Sequence, residues 1–357
     1  MTIYPHHSSA SPEHPLPPSA AGPARPRRGP GFWLLAFLVI LLGGSVLLNL
    51  LLLVSSSAGS LLGGGSLSLL SVRKFEEEVV KGTGPKKILL LPITGELTEG
   101  GSEMFGRRET GTVEQVRAVL EQAEADPNLL AVILEIDSPG GSVTASDRLY
   151  HELKTFRERT GKFLLAHFSD TAASGAYYLA MGTDHIMASP TGITGSIGVI
   201  FSGMHLQGLL AKLGVKMKTI KSGPLKDMGS SFRPWTPEET RLFQEIIDQL
   251  YGRFVKIVGE GRKGLSADEI RVLADGRIYT ADQALAAKLI DSIGYDHEAL
   301  ELVTKKLNLR DPSVVRYHRP PRLLDLFSMT AARLNPWAGA PALSRRQGFF
   351  YLWAPGE

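Results

Sequence analysis

A long run of apolar residues stands near the N-terminus of the chain. Residues 32–54 contain no charged side chain and are long enough to cross a bilayer as one helix. The apolar core of a cleaved secretory signal is only about 7–15 residues long. A retained membrane anchor is therefore predicted, and cleavage after the signal-like residues 55–58 is the less favoured alternative.

Arginines lie within residues 25–28, and the next basic residues after the run are Arg73 and Lys74. The positive-inside rule predicts a single-pass protein of the cell membrane, with a cytoplasmic N-terminus and an extracytoplasmic remainder.

Beyond residue 85, short apolar runs alternate with segments of helical periodicity. The apolar runs predict strands at residues 88–93, 131–136, 163–166, 185–188 and 217–220. Helices are predicted over residues 144–157 and 238–259. Another helix is predicted after a capping box at residues 112–115, with Val116, Val119, Leu120 and Ala123 on its apolar face. Because strands and helices alternate, an α/β fold is expected, with a largely parallel sheet covered by helices.

Composition divides the chain into five parts. Residues 1–31 are rich in Pro, Ser and His, and a disordered cytoplasmic tail is predicted there, before the anchor at residues 32–54. A tether is predicted over residues 55–85, a folded domain over residues 86–311 and a C-terminal tail over residues 312–357.

Charge and cysteine content exclude several classes of function. The net charge is only +3, and the basic residues form no stripe interleaved with aromatic residues. No nucleic-acid partner is therefore expected. The chain has no cysteine, which excludes thiol catalysis, disulfides and zinc–thiolate sites.

Two stretches that follow predicted strands carry candidate chemistry. In open α/β sheets, functional groups gather on loops at the carboxyl ends of the strands. Ser174 lies in such a loop between Ala173 and Gly175, and its hydroxyl is either a nucleophile or a helix N-cap. Gly141 lies in the sequence Asp-Ser-Pro-Gly-Gly after an earlier strand. Its N–H either faces a site and stabilises an oxyanion, or belongs to a plain strand-to-helix turn.

A nucleophilic serine needs a base. None of the nine histidines stands in a recognisable triad context. Lysine is the other option, because burial among apolar groups lowers the pKa of a lysine and favours the neutral form that accepts a proton. The rival lysines near the predicted strand at residues 217–220 are Lys216, Lys218, Lys221 and Lys226. The residues alone do not select one of them.

Five segments occur in the order typical of one protein family. They are residues 137–141 (DSPGG), 171–180 (TAASGAYYLA), 194–200 (TGSIGVI), 222–228 (SGPLKDM) and 276–280 (GRIYT). Together they resemble the signal peptide peptidase A family of bacterial membrane serine proteases. That family uses a Ser/Lys dyad on a fold related to Clp protease and crotonase. The resemblance runs from residue 86 to residue 294.

The resemblance implies a role for each candidate residue. Ser174 is implied as the nucleophile, Lys226 as the general base and Ser196 as the hydroxyl that holds the lysine amine. The backbone N–H groups of Gly141 and Ser174 are implied as the oxyanion donors. Lys288 stands where a glycine is expected, which is a departure from the family pattern far from the dyad in sequence.

Substrates and partners also follow from the resemblance. It implies that apolar peptides, notably remnant signal peptides, are hydrolysed through an acyl-enzyme without a cofactor. It also implies a homo-oligomer with active sites at subunit interfaces. The alternatives are an acyl-CoA hydratase or thioesterase on the same fold and an inactive membrane scaffold. The aromatic residues 349–353 (FFYLW) are expected to pack on the domain surface, and the less favoured alternative is a pseudo-substrate in a neighbour's groove.

Overall fold

The computed structural model describes residues 33–35, 37–47, 75–100, 103–104, 107–108, 110–319 and 348–353. The chain divides into two units, Met1–Ser71 and Val72–Glu357. In the first unit, residues 33–35 and 37–47 are helical and form α1. No helix among the described residues is both long enough and apolar enough to span a bilayer. The predicted tail at residues 1–31 and the rest of the predicted anchor lie outside the described residues.

The second unit holds all the strands described and the remaining helices. The strands are β1 (Glu76–Lys81), β2 (Lys87–Thr94), β3 (Glu103–Met104), β4 (Arg107–Arg108), β5 (Leu129–Ser138), β6 (Gly140–Ser142), β7 (Phe163–Ala173), β8 (His185–Ala188), β9 (Ile193–Gly195), β10 (Ile200–Ser202), β11 (Ile278–Thr280), β12 (Ser292–Ile293), β13 (Ser313–His318) and β14 (Gly348–Leu352). The helices are α2 (Thr112–Ala125), α3 (Val143–Thr160), α4 (Gly175–Ala180), α5 (Gln207–Lys212), α6 (Pro237–Gly261), α7 (Ala267–Leu273), α8 (Ala281–Ala286) and α9 (Asp296–Lys306).

A mixed sheet forms the centre of the second unit, in the order β1-β13-β2-β5-β7-β8-β12. All neighbours from β13 to β12 pair in parallel, and β1 pairs antiparallel with β13 at one edge. The C-terminal part of β7 also pairs in parallel with β9, which pairs antiparallel with β11. The prediction of a largely parallel α/β sheet is confirmed. The sheet includes β1 and β13, which lie outside the predicted domain range of residues 86–311.

Apolar side chains fill both faces of the central strands, because parallel strands lie between two layers of helices. On one face, Val132 of β5 belongs to the large core together with Leu149 of α3. On the opposite face, Ile133 and Leu165 pack in a smaller core with Val303 of α9. The alternation of neighbouring residues between two cores fixes the register of β5, since a shift by one residue would exchange its two faces.

Four of the five predicted strands are confirmed, and they correspond to β2, β5, β7 and β8. The strand predicted at residues 217–220 is wrong. These residues have no regular structure, and Met217 and Ile220 are 54% and 90% exposed. Lysines alternate with apolar residues there, as in an edge strand, but among the described strands none pairs with this segment. An extended segment without a hydrogen-bonded neighbour is not stable as a strand.

The helix predictions are confirmed except for one cap. The predicted helices at residues 144–157 and 238–259 are α3 and α6, and the predicted apolar face of α2 is buried. The capping box at residues 112–115 is wrong. Gly111 is the N-cap of α2, without a side-chain cap, and the Thr112 hydroxyl instead donates to Glu96 O at 3.4 Å.

A second sheet lies beside the first and has the order β10-β14-β6. Both pairings are antiparallel, with Phe350 opposite Ile200 on one side and Tyr351 opposite Gly141 on the other. The central strand of this sheet therefore comes from the C-terminal tail, and it lies next to the glycine that the sequence singled out.

Lys288 follows α8 with a φ of 57°, in the left-handed region that favours glycine. The next residue closes the helix end, because Leu289 N–H donates to Ala284 O at 2.8 Å. This conformation is the one that glycine adopts freely, which is consistent with the glycine expected at this position. The lysine tolerates a conformation that costs a non-glycine residue about 1 kcal/mol.

Candidate active site

Ser174 sits at a sharp turn between β7 and α4. The strand ends at Ala173, the helix begins at Gly175, and Ser174 between them has φ 55° and ψ −115°. Such a backbone is strained for a residue other than glycine. Ser174 is 1% exposed, and its Oγ has no hydrogen-bond partner among the described residues. The Ser174 side chain makes no cap bond to α4. A strained backbone and an unpaired buried hydroxyl favour a nucleophile over an N-cap.

Ser196 follows the strand that pairs with the end of β7. Ala173 lies opposite Gly195 in the β7–β9 ladder, and Ser174 N–H donates to Gly195 O at 2.7 Å. Ser196 has a positive φ of 49° and is 8% exposed, and its N–H donates to Arg277 O at 2.7 Å. The structure therefore brings the two predicted serines to adjacent strand ends.

Gly141 lies on β6, which is held against Leu97. Leu97 N–H donates to Gly140 O at 2.8 Å, and Ser142 N–H donates to Leu97 O at 3.0 Å. A Cβ added at Gly141 would lie 2.3 Å from Leu97 O, so only glycine permits this close approach. Because the polar groups of successive strand residues point to opposite sides, the Gly141 N–H is directed away from Leu97 and toward β14.

The N–H group of Ser174, implied by the sequence as the second oxyanion donor, already has a hydrogen-bond partner in the structure. Ser174 N–H is occupied by Gly195 O, so it is not available to a substrate oxygen in this conformation. Gly175 is the next residue, and a Cβ added at Gly140 would lie 2.8 Å from Gly175 N. The Gly175 N–H group therefore lies beside β6 and is the better candidate. The sequence carries a signal for this residue, since a glycine follows the serine directly. In the structure, a Cβ at Gly175 would lie 2.2 Å from Ser146 Oγ.

Lys226 lies in an exposed turn, and the structure does not join it to Ser174. Its backbone N–H donates to Gly223 O at 3.2 Å. Within the described part of the chain, the Lys226 side chain has neither a hydrogen bond nor an ion pair, and Ser174 Oγ is likewise unpartnered. The predicted dyad is therefore not assembled within this single chain.

A charged cluster anchors the turn that carries Lys226. Asp227 accepts hydrogen bonds from Lys221 Nζ at 2.6 Å and from Arg233 Nη2 at 2.8 Å. Arg233 also donates to Glu239 in the first turn of α6. The hydrogen bond from Arg233 lowers the pKa of Asp227 well below its ordinary range and that of Glu239 to about 2. The cluster ties the turn to α6 and holds Lys221 in an ion pair, which distinguishes Lys221 from Lys226.

A cavity in the structure lies away from the predicted site residues. A cavity of about 410 Å³ is lined by residues of β1, α9 and β13 and by none of the predicted site residues. The space next to Gly141 is occupied by β14. No cluster of three or more His, Asp or Glu side chains that could hold a metal ion is found in the described segments.

A buried serine on a strained turn, beside glycine N–H groups, is an arrangement typical of serine hydrolases. Residues 157–310 match the model of Peptidase family S49. A protein of Enterococcus faecium provisionally named signal peptide peptidase SppA is 38% identical, over 68% of this chain and 70% of its own. A provisionally named protease of Synechocystis sp. is 42% identical, over 60% of this chain and 75% of its own. Protease 4 of Salmonella typhi is 31% identical, over 65% of this chain and 38% of its own.

The chain therefore belongs to peptidase family S49, the family of the SppA proteins, and it is a serine peptidase. The chain is also similar to a solved structure, a mutant of the 1510-N membrane-bound stomatin-specific protease in complex with a substrate peptide. The match covers 70% of this chain and 100% of the solved chain, with 16% sequence identity and a TM-score of 0.42. The three named relatives are peptidases or proteases, so the alternative of an acyl-CoA hydratase or thioesterase is set aside.

Proposed function

We propose that this chain is a membrane-anchored serine endopeptidase with a Clp protease/crotonase-like fold, which hydrolyses apolar peptides such as remnant signal peptides. Ser174 is the nucleophile. The observation that carries this proposal is the buried, unpartnered Ser174 Oγ on a strained turn at the end of the central strand β7. Strain and an unsatisfied hydroxyl both cost stability, and they persist where function requires them.

The oxyanion is proposed to bind the N–H groups of Gly141 and Gly175. The Gly141 N–H points away from Leu97, and Gly175 N lies beside β6, next to Gly140. Donors fixed by surrounding backbone need no reorganisation when the negative charge develops. Gly141 is fixed by the two hydrogen bonds that hold β6 against Leu97.

Lys226 is proposed as the general base, supplied to Ser174 by a neighbouring copy of the chain. Two observations support this assembly. Neither Ser174 Oγ nor the Lys226 side chain has a partner within the described part of the chain. Lys226 also follows a segment whose apolar side chains are exposed, namely Leu209, Leu213, Val215, Met217 and Ile220. Contiguous apolar exposure is typical of an interaction surface.

The proposed reaction has two stages, acylation and deacylation, and in each stage Lys226 accepts a proton and then gives it up. Neutral Lys226 accepts the Ser174 hydroxyl proton while Ser174 Oγ attacks the peptide carbonyl carbon, and the carbonyl electron pair moves onto the oxygen held by Gly141 and Gly175. As the tetrahedral intermediate collapses, the protonated lysine gives its proton to the leaving amine. Water then attacks the acyl carbonyl carbon and gives a proton to the same lysine. When this second intermediate collapses, the Ser174 Oγ–carbon bond breaks, the lysine returns the proton to Ser174 Oγ, and the acid is released. The Ser196 hydroxyl is proposed to orient the lysine amine.

A direct test compares two peptides with the full-length chain in detergent. One peptide is an apolar 20-residue signal-like sequence, and its matched control has the same length with every third apolar residue replaced by Asp. We expect the apolar peptide to be cut internally and the control to be cut at least about tenfold more slowly, because one lost apolar contact already costs about 1–3 kcal/mol. Mass spectrometry identifies the products. If neither peptide is cleaved, the peptidase proposal is contradicted.

The membrane topology is a separate prediction. We propose that residues 32–54 anchor the chain with residues 1–31 in the cytoplasm, since arginines precede the apolar run and none follows closely. In right-side-out bacterial spheroplasts, a tag placed before residue 32 is expected to resist external protease, whereas a tag at the C-terminus is digested. Permeabilised cells, in which both tags are accessible, serve as the control. Protection of the C-terminal tag instead would overturn the proposed orientation.

A further inference from the structure

Arg233 lies at the centre of the charged cluster beside the turn that carries Lys226. Its Nε donates to Asp227 Oδ2 at 3.1 Å, and its Nη2 donates to Asp227 Oδ1 at 2.8 Å. The same Nη2 donates to the backbone oxygen of Asp227 at 3.1 Å. The guanidinium therefore binds both the side chain and the main chain of the residue that directly follows Lys226. Only the planar fork of an arginine offers donors in this arrangement.

The other side of the guanidinium binds helix α6. Arg233 Nη1 donates to Glu239 Oε2 at 2.8 Å, and Nη2 donates to Glu239 Oε1 at 2.5 Å. Glu239 is 1% exposed, and its carboxylate also accepts the backbone N–H of Thr236 at 2.7 Å in the capping box of α6. Packing and the cap thus hold this carboxylate from two sides. An arginine bound to it by two hydrogen bonds is held in the same place.

Helix α6 is itself fixed by the core of the second unit. Its buried residues Phe254, Ile257 and Val258 belong to the large apolar core. Because Glu239 lies in the first turn of the same helix, its backbone moves only if α6 moves. A continuous set of contacts therefore leads from the core through Glu239 and Arg233 to the turn that carries the proposed base.

Lys221 closes this turn from the opposite direction. Its Nζ donates to Pro224 O at 2.7 Å and to Asp227 Oδ1 at 2.6 Å. Both side-chain oxygens of Asp227 are thus bound by cations other than Lys226. Within the described residues, the amine of Lys226 has no such partner. The turn therefore fixes the backbone of the proposed base and leaves its amine free.

We propose that Arg233 is a positioning residue for the general base: by joining Asp227 to Glu239, it fixes the backbone of Lys226 on α6, so that the amine is presented to Ser174 in one orientation. The proposal rests on the proposed function, which makes Lys226 the base, and it adds a residue that acts through Asp227. A lysine side chain has a flexible four-carbon stem, so any freedom of the backbone adds to the freedom of the amine.

Loss of the guanidinium is expected to lower kcat and to leave KM nearly unchanged. The amine of Lys226 takes part in proton transfer and does not hold the peptide, so a displaced turn affects the chemical step. A displacement of about 1 Å costs on the order of 10²-fold in rate, and we expect Arg233→Ala to lower kcat by about that factor. KM is expected to stay within about twofold. Initial rates on the apolar signal-like peptide, at a series of peptide concentrations, separate the two constants.

Arg241→Ala is the matched control for this experiment. Arg241 also lies on α6, and it forms an ion pair with Glu245 of the same helix. Its replacement removes an arginine and an ion pair from α6 without touching Asp227, so we expect kcat within about twofold of the unmodified chain. Equal kcat in the Arg233→Ala, Arg241→Ala and unmodified chains would overturn the positioning role.

Added guanidinium separates positioning from a loss of stability. The side chain of Arg233 is 28% exposed, so the space left by Arg233→Ala is open to solvent. Guanidinium chloride at about 20 mM is far below the molar concentrations that unfold proteins, and we expect it to restore part of the lost kcat. Sodium chloride at the same concentration is the salt control. A chain that is merely destabilised would lose activity, because guanidinium weakens apolar burial. No recovery, or a further loss, would overturn the positioning role.

Two further variants keep the test decisive. Glu239→Gln retains the capping box, since glutamine serves at this position as well as glutamate, but it loses the charge that binds Arg233. We expect a smaller fall in kcat, again with KM nearly unchanged, and this variant decides the question if Arg233→Ala does not fold. Combining the two substitutions is expected to lower kcat no further than Arg233→Ala alone, because both break one link. Additive losses would contradict a single link. Lys226→Ala is expected to show no recovery in guanidinium, because it lacks the base itself.

Hydrogen exchange tests the link without any catalysis. The backbone N–H groups of Lys226, Met228 and Ser230 are bonded within the turn. We expect them to exchange at least about tenfold faster in Arg233→Ala than in the unmodified chain, because a turn that opens more often exposes its amides. Arg241→Ala is expected to leave these rates unchanged. Mass spectrometry of peptic fragments gives the rates, and equal exchange in all three chains would overturn the link.

The combined results separate this proposal from the proposed function. If the turn loosens in Arg233→Ala although the unmodified chain cleaves no peptide, the peptidase proposal fails and the link to α6 stands. If peptides are cleaved and Lys226→Ala remains fully active, the assignment of the base fails, and Arg233 is not its positioning residue. If Lys226→Ala is inactive while Arg233→Ala keeps its kcat, the base stands and the positioning role is overturned.

Discussion

Replacing Ser174 with alanine is expected to abolish peptide hydrolysis, with a loss of at least about 10⁴ in kcat, since nucleophile and base act as one unit. The remaining site keeps the N–H groups of Gly141 and Gly175, but it has no atom that forms an acyl-enzyme. The rate of cleavage of an apolar peptide by the full-length chain, followed by mass spectrometry, measures the loss.

The same substitution has a second expected effect, which distinguishes a nucleophile from a helix cap. Ser174 Oγ is buried without a partner, and an unsatisfied buried hydroxyl costs about 1–3 kcal/mol. Alanine removes that cost, so we expect Ser174→Ala to leave the melting temperature unchanged or to raise it. If Ser174 were an N-cap, alanine would instead destabilise the chain by about 1 kcal/mol.

Ser189→Ala is the matched control for this experiment. Ser189 is also a largely buried serine that follows a strand of the same sheet, and its backbone N–H donates to Phe168 O. We expect this variant to keep activity within about twofold of the unmodified chain, as is usual for a conservative change away from the site. Full turnover by Ser174→Ala, in a preparation free of other peptidases, would rule out Ser174 as the nucleophile.

The central sheet was predictable because its strands carry their signal locally. Residues 131–136 are all apolar apart from Glu135, and such a run suits a strand covered on both faces. The turn at Ser174 was predictable in place, since a strand runs into a helix through small residues. Its backbone conformation was not, because a φ of 55° at serine depends on the fit between β7 and β9 rather than on the residue itself.

The features that the sequence did not predict depend on partners distant in the chain. β14 pairs Tyr351 with Gly141, which is 210 residues away, and no local pattern specifies that contact. The occupied N–H of Ser174 and the position of Gly175 likewise depend on how the ends of β7, β9 and β6 meet. The segment at residues 217–220 has a strand-like pattern, but a strand also needs a neighbour, and here the described chain supplies none. Its exposed apolar side chains are the ones that the proposed assembly would cover.

Replacing Lys226 with alanine is expected to lower kcat by about 10²–10⁴, which is the usual contribution of a general base. Lys216→Ala is the matched control, because Lys216 is also exposed and belongs to the same stretch of chain. We expect it to retain activity within about twofold. Lys221 is the informative rival, since its Nζ is already held by Asp227 at 2.6 Å. If Lys221→Ala loses activity while Lys226→Ala keeps normal activity, the base is Lys221 and the proposed assignment to Lys226 is wrong.

Co-expression of the Ser174→Ala and Lys226→Ala chains tests whether a site is shared between copies. The Lys226→Ala chain still carries the serine, and the Ser174→Ala chain still carries the lysine. In a head-to-tail assembly that mixes the two chains at random, about one interface in four joins an intact serine to an intact lysine, so about a quarter of the normal activity returns. If both residues act within one chain, every site lacks one of them and no activity returns.

Size-exclusion chromatography of two differently tagged chains verifies that mixed assemblies have formed. Mixed assemblies without recovered activity would exclude a shared site, and Ser174 would then have to meet its base through a rearrangement within one chain.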